Sequence, residues 1–143
     1  MAEGRKKYYT VDFENLSEEN VRDYPDNIVK MSFWFDDEAD INLKNLGLCF
    51  EDKEKAIDKA KEIYYNAIWE ANTFVWKDKS NIGVTLNFAK NFIVPEENPR
   101  PGDRCAETAE KLYEIINQIG RENIVKYILK LTDVYFYMPV YVK

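Results

Sequence analysis

The run Ile28-Val29-Lys30-Met31-Ser32-Phe33-Trp34-Phe35 alternates clearly. Ile28, Lys30, Ser32 and Trp34 fall on one face, and Val29, Met31, Phe33 and Phe35 on the other. A wholly apolar face on a β-branched and aromatic run predicts a half-buried strand. Upstream, Tyr8-Tyr9-Thr10-Val11-Asp12-Phe13 has the same make-up and predicts a second strand. Downstream the period changes. Ala56, Ile57, Ala60, Ile63, Tyr64, Ala67, Ile68, Ala71 and Val75 recur at helical spacing, with lysines and acids between them. This predicts an amphipathic helix over 52–76, capped by Asp52 with Glu54 in its first turn. Strand and helix signatures in separate blocks predict an α+β fold: a mostly antiparallel β-sheet packed on one face by two or three α-helices.

The remaining segments fit that layout. Ser17, followed by Glu18, Glu19 and Asn20, predicts a short capped helical turn that Pro25 stops. Residues 36–46 are polar and read as a loop. Ile82 to Val94 alternates again, and Ala89-Lys90-Asn91 is the expected hairpin connection. Three prolines between Pro95 and Gly102 mark a loop. Asp103 is the expected cap of a helix running to Ile119, which Gly120 ends. A third helix is expected over 121–131, with Ile124, Val125, Ile128 and Leu129 inward. Thr132 to Val142 is strongly β-prone, and Pro139 places it at a sheet edge or near a strand end. An edge strand can pair with a second copy, so a homodimer stands as an open alternative.

At 143 residues the chain has the length of one ordinary domain, and a single domain over 1–143 is expected. With 45% hydrophobic against 32% charged residues it has a folded composition. The N-terminal Met1-Ala2-Glu3-Gly4-Arg5-Lys6-Lys7 lacks an apolar core, and no run reaches the ~18–20 apolar residues of a membrane span. A protein without a membrane partner, in the cytoplasm of a bacterial host cell, is the expectation.

Absences narrow the chemistry. There is no histidine, which removes the commonest general base and metal ligand near neutral pH. Glycine-rich phosphate loops are missing too. The loop from Asp36 matches a calcium loop at Asp36, Glu38 and Asp40, but Ile41 and Gly47 stand where the turn glycine and the bidentate glutamate belong. No cofactor, metal site or catalytic residue is expected, although paired carboxylates leave acid–base chemistry open. Cys49 and Cys105 read as reduced, buried thiols, with a bridge between them left open.

Charge is the strongest positive signal. The formal net charge is −6. Residues 1–52 hold 13 acids against 6 bases, and residues 53–143 hold 13 acids against 14 bases. Glu14, Glu18, Glu19, Asp23 and Asp26 form one cluster, and Asp36, Asp37, Glu38 and Asp40 another. Such a chain is repelled by phosphate backbones, so direct nucleic-acid binding is not expected. A protein partner with a basic surface is expected, met by these nine acids with Trp34 as a candidate anchor. Tyr8, Tyr9, Trp34, Trp69, Trp76, Tyr135, Tyr137 and Tyr141 are rings for a core or for a binding site.

Gly47-Leu48-Cys49-Phe50-Glu51-Asp52-Lys53-Glu54-Lys55-Ala56 resembles the G-N-x-F-x-T-x-E-E-A segment of small phage and prophage accessory proteins, with Leu48 where the pattern has Asn. Ile119-Gly120-Arg121-Glu122-Asn123-Ile124-Val125-Lys126-Tyr127 resembles their closing I-G-E-E-R-L-K-K-Y helix. The resemblance implies an accessory gene of a mobile element and, by analogy, a non-enzymatic inhibitor of a host defence factor that handles nucleic acid, in the manner of anti-CRISPR proteins. Two alternatives stay open: an immunity protein that neutralises a cognate toxin, and a small-ligand sponge holding a nucleotide signal in an aromatic pocket. The last needs Arg or Lys beside the rings.

Overall fold

The computed structural model describes residues 5–78, 82–89 and 92–130. The fold is α+β, and its strands divide into two antiparallel sheets. The chain forms two compact units, Met1–Tyr64 and Tyr65–Lys143.

In the first unit, β1 (Lys7–Val11) pairs antiparallel with β2 (Val29–Phe33), with Tyr8 opposite Ser32 and Val11 opposite Val29. Between them lie a 3-10 turn at Phe13–Asn15, helix α1 (Glu18–Asp23) and a second 3-10 turn at Pro25–Ile28. The Ser17 hydroxyl accepts from the Asn20 amide as the α1 cap, and the helix ends at Tyr24, just before Pro25. Ile28 closes that 3-10 turn instead of opening the strand. Buried apolar side chains here include Tyr8, Val11, Val21, Ile28, Val29, Leu48, Ala56, Ile57 and Ala60.

Residues 36–46 are not a loop. Helix α2 spans Glu38–Asn45, and the Asp37 carboxylate accepts from the Asp40 amide as its N-cap. Glu38 and Asp40 in its first turn complement the helix dipole. The helix buries almost no apolar stripe: Asp40 is its buried residue and Ile41 is exposed. Hydrophobic periodicity therefore carries no signal there, and capping alone marks it.

Helix α3 spans Lys53–Asn72, and Asp52 accepts from the Glu54 amide at its start, as expected. It stops short of Trp76. The Thr73 hydroxyl donates to the Trp69 carbonyl, and Phe74–Val75 then form strand β3. The Arg104 guanidinium donates to the carbonyls of Glu70 and Thr73 and so satisfies the helix's open end.

The second unit holds a four-stranded antiparallel sheet in the order β3-β6-β4-β5. Strands β4 (Val84–Ala89) and β5 (Phe92–Glu96) form the expected hairpin, with Ala89 opposite Phe92. The expected connection at Lys90 and Asn91 lies outside the described residues. Pro95 sits in the edge strand β5, where a missing N–H is tolerated. Asp103 does not open a helix. It is a turn residue whose carboxylate accepts from the Arg100 amide, and Arg104–Ala106 is the inner strand β6. Helix α4 spans Ala109–Ile119, capped by Thr108, and buries Leu112, Ile115, Ile116 and Ile119. It packs on β4 and β6. Gly120, at φ 94, ends it in a conformation that side-chain-bearing residues resist. A single turn, α5 (Arg121–Asn123), then runs into a π-helical turn at Ile124–Ile128 that buries Ile124, Val125 and Tyr127. Ile128 and Leu129 are only half-buried. The expected strand over Thr132–Val142 lies outside the described residues, and with it the edge proposed for a homodimer.

Both cysteines are free, Cys105 buried and Cys49 half-buried. Among the described residues no helix is long and apolar enough to cross a membrane.

Candidate functional site

The first unit builds a cleft of about 490 Å³ lined by Lys6, Lys7, Tyr8, Trp34, Asp36, Lys44, Cys49, Phe50 and Glu51. Its walls follow from strand pairing. The Trp34 amide donates to the Lys6 carbonyl at 2.7 Å and carries the β1–β2 ladder one step further. Tyr9 and Phe50 exchange backbone hydrogen bonds of 2.7 and 2.9 Å, which lay residues 49–51 along β1. The chain turns out of β2 at Asp36, held at φ 60, a conformation aspartate tolerates better than most residues. The last turn of helix α2 then brings Lys44 to the Trp34 ring.

The aromatic wall is ordered by contacts among its own residues. Tyr8 and Trp34 meet edge to face, with centroids 6.1 Å apart at 71°. The Lys44 ammonium, in the last turn of α2, lies 5.8 Å from the Trp34 ring centroid. Lys6 forms an ion pair with Glu51 and donates a hydrogen bond that holds this carboxyl below its usual range. Burial pushes the Cys49 thiol up, and the nearby Asp40 charge adds to the effect. Cys49 is therefore a neutral thiol near pH 7, the unreactive form. A general acid needs a raised carboxyl pKa, and Glu51 moves the other way.

Beneath the wall lies a buried polar lock. Asp40 is 3% exposed. Its Oδ1 accepts from the Tyr8 hydroxyl at 2.6 Å and its Oδ2 from the Phe35 amide at 2.6 Å. The Tyr8 bond, followed by backbone donors at Phe35 and Asp37, lowers the Asp40 pKa against the opposing effect of desolvation. Burial first, then Asp40 itself, raises that of Tyr8.

The nine acids expected to face a partner divide by environment. Asp40 is consumed by the fold, and Asp37 remains exposed but serves as the α2 cap. Glu18 and Asp23 pair with Arg22 at 3.6 and 3.1 Å, and Asp26 pairs with Lys53 at 3.1 Å. Glu14, Glu19, Asp36 and Glu38 are exposed and have no ion pair among the described residues. No hydrogen bond or ion pair joins the 14–26 set to the 36–40 set among the described residues. Trp34 is half-buried in the cleft wall. The exposed ring beside Asp36 is Phe35, 52% exposed, with the Arg5 guanidinium 4.4 Å from its centroid.

Of the other aromatics, Tyr8, Trp69 and Trp76 are buried, Tyr9 is half-buried, and Tyr135, Tyr137 and Tyr141 lie outside the described residues. The lysines of the cleft were not legible in advance. Lys44 reaches Trp34 only because 38–45 is a helix, and Lys6 and Lys7 stood in what read only as a charged N-terminal stretch.

No known protein family, curated protein or solved structure matches the chain.

Proposed function

We propose that the chain is a non-catalytic binding protein whose acidic first unit engages the basic surface of a partner protein. One observation carries this reading. Residues 1–64 hold 16 acids against 10 bases, a net of −6, while residues 65–143 hold 10 of each. The entire excess charge of the molecule therefore rides on one compact unit. Glu14, Glu19, Asp36 and Glu38 are among the exposed carboxylates left without an internal cation among the described residues, and Phe35 supplies an exposed ring next to Asp36. A surface of this kind accelerates encounter with a cationic partner and loses its advantage as salt screens it.

The resemblance of Gly47–Ala56 to phage accessory proteins supports a host factor as the partner, with a nucleic-acid-handling defence protein as the class whose basic groove an acidic unit would occlude. A basic cognate toxin fits the same face, and neighbouring genes separate the two settings.

The test is affinity capture from the native host lysate at low and high salt, with wild type and with the triple substitution Glu14→Lys, Glu19→Lys, Glu38→Lys. The expected result is a basic protein retained by wild type at low salt, released at high salt and lost by the triple variant. Capture that is indifferent to both salt and charge reversal would sink the electrostatic reading.

A further inference from the structure

We propose that the cleft beside Trp34 is a binding site for a small planar anion of the mononucleotide type, a ring bearing one phosphate. The inference is independent of the acidic face and rests on what surrounds the cleft. Rings of Tyr8, Trp34 and Phe50 line it, so its interior favours a flat apolar body. Lys6, Lys7 and Lys44 stand against Asp36 and Glu51, so the lining is cationic by one charge inside a unit whose net charge is −6.

The disposition of those lysines is the telling point. In a unit rich in carboxylates, Lys44 and Lys7 make no ion pair among the described residues. Lys44 instead holds its ammonium near the Trp34 ring, 5.8 Å from the centroid. Lys6 already neutralises Glu51, which leaves Lys7 and Lys44 facing Asp36 alone. A ligand ring stacked in the cleft would bring an attached phosphate to the Lys44 ammonium beside Trp34, on a lining that also includes Lys7. The volume of about 490 Å³ lies in the range of small-molecule sites, roughly 300–1,000 Å³.

Other ligand classes fit less well. A cationic side chain entering an aromatic cage would meet Lys44 already over the ring, and Glu51 already paired. A purely apolar ligand would leave the lysines unused. A polynucleotide would bring many phosphates against a unit of net −6 for the benefit of one cleft, so a single nucleotide is favoured over a strand.

The test is a nuclear magnetic resonance titration of the full chain with AMP, GMP, CMP and UMP, reading the Trp34 indole N–H. Adenosine, inorganic phosphate and a short oligodeoxyadenylate serve as comparison probes. At least one mononucleotide should shift the indole saturably. Inorganic phosphate, and adenosine relative to AMP, should each bind about tenfold more weakly, the loss of one stacking contact or one charge contact. Lys44→Ala should weaken binding about tenfold, while Lys44→Arg retains it. Trp34→Leu, which lacks the indole and is followed by isothermal calorimetry instead, should abolish it. If that variant unfolds by circular dichroism, the exposed Lys44 pair decides alone. Absence of saturable binding by all four mononucleotides overturns the proposal, as does affinity unchanged in Lys44→Ala or tighter binding of the oligonucleotide than of any mononucleotide.

Discussion

The Tyr8 hydroxyl of β1 donates a 2.6 Å hydrogen bond to Oδ1 of Asp40 in α2, across 32 residues of chain. This bond ties the short helix to the two-stranded sheet. Phe35 supplies the second donor to the same carboxylate, so a charge that would be costly to bury is satisfied on both oxygens. The same helix gives the cleft its Lys44, whose ammonium lies near the Trp34 ring.

Removing the Tyr8 hydroxyl leaves Asp40 Oδ1 buried without its donor. Tyr8→Phe should destabilise the chain by about 1–3 kcal/mol, the range for a buried hydrogen bond to a charged group. Urea unfolding measures it, and an unchanged midpoint at constant slope would show that water or relaxation replaces the bond.

The pH dependence follows from the same pair. The folded pKa of Asp40 is lowered, so its contribution is complete above the unfolded value of about 4 and is lost as pH falls through the folded value. The folded pKa of Tyr8 is raised, so its contribution is complete below the unfolded value of about 10 and is lost as pH rises through the folded value. Stability should therefore decline at both extremes, and Asp40→Asn should flatten the acid limb. Equal acid slopes in the wild type and this variant would remove Asp40 from the explanation.

Thr10 is 1% exposed, and its hydroxyl has no hydrogen-bond partner among the described residues. Valine has nearly the same shape and no polar atom to desolvate. Thr10→Val should raise stability by about 1 kcal/mol, read as a higher denaturation midpoint. A loss of stability would mean that the hydroxyl has found a partner in solution.

Gly83 is buried where a Cβ would stand 2.9 Å from Cys105 Cβ and Sγ and 2.9 Å from Trp76 Cδ1. Gly83→Ala should cost about 1–3 kcal/mol through overpacking, measured by thermal or urea unfolding. Gly102→Ser, where a Cβ would meet nothing within 4 Å, separates crowding from backbone effects, because Gly102 sits at φ 97 and carries only backbone strain. An unchanged midpoint in Gly83→Ala would show that Trp76 and Cys105 shift to make room for the methyl group.

Two elements escaped a reading of periodicity, for different reasons. Strand β6 has three residues, Arg104–Ala106, too few to show alternation, and its inner position is created by partners on both sides. Helix α2 has eight residues and little apolar stripe, so its capping residue Asp37 is its local mark. The long helix α3 was legible from its repeating alanines and isoleucines, but not its end. Phe74 and Val75 continue the helical stripe in sequence, and pairing with Cys105 and Arg104 draws them into a sheet. Tertiary partners override local propensity at such ends.

The sequence by itself determined the α+β class, strands expected over 8–13 and 28–35 and found at 7–11 and 29–33, the β4–β5 hairpin, the Asp52, Ser17 and Gly120 boundaries, and the concentration of negative charge near the start of the chain. These depend on period, capping chemistry and composition, which are local. Only the tertiary structure decided which charges are free. Asp40 and Glu38 are two residues apart in one acidic cluster, yet one is locked beneath Tyr8 and the other is exposed. Only the tertiary structure, too, brought Lys6, Lys7 and Lys44 beside Trp34 and Phe50. Burial and pairing depend on which elements meet across many residues, and that information resides in the packing of β1, β2 and α2 together.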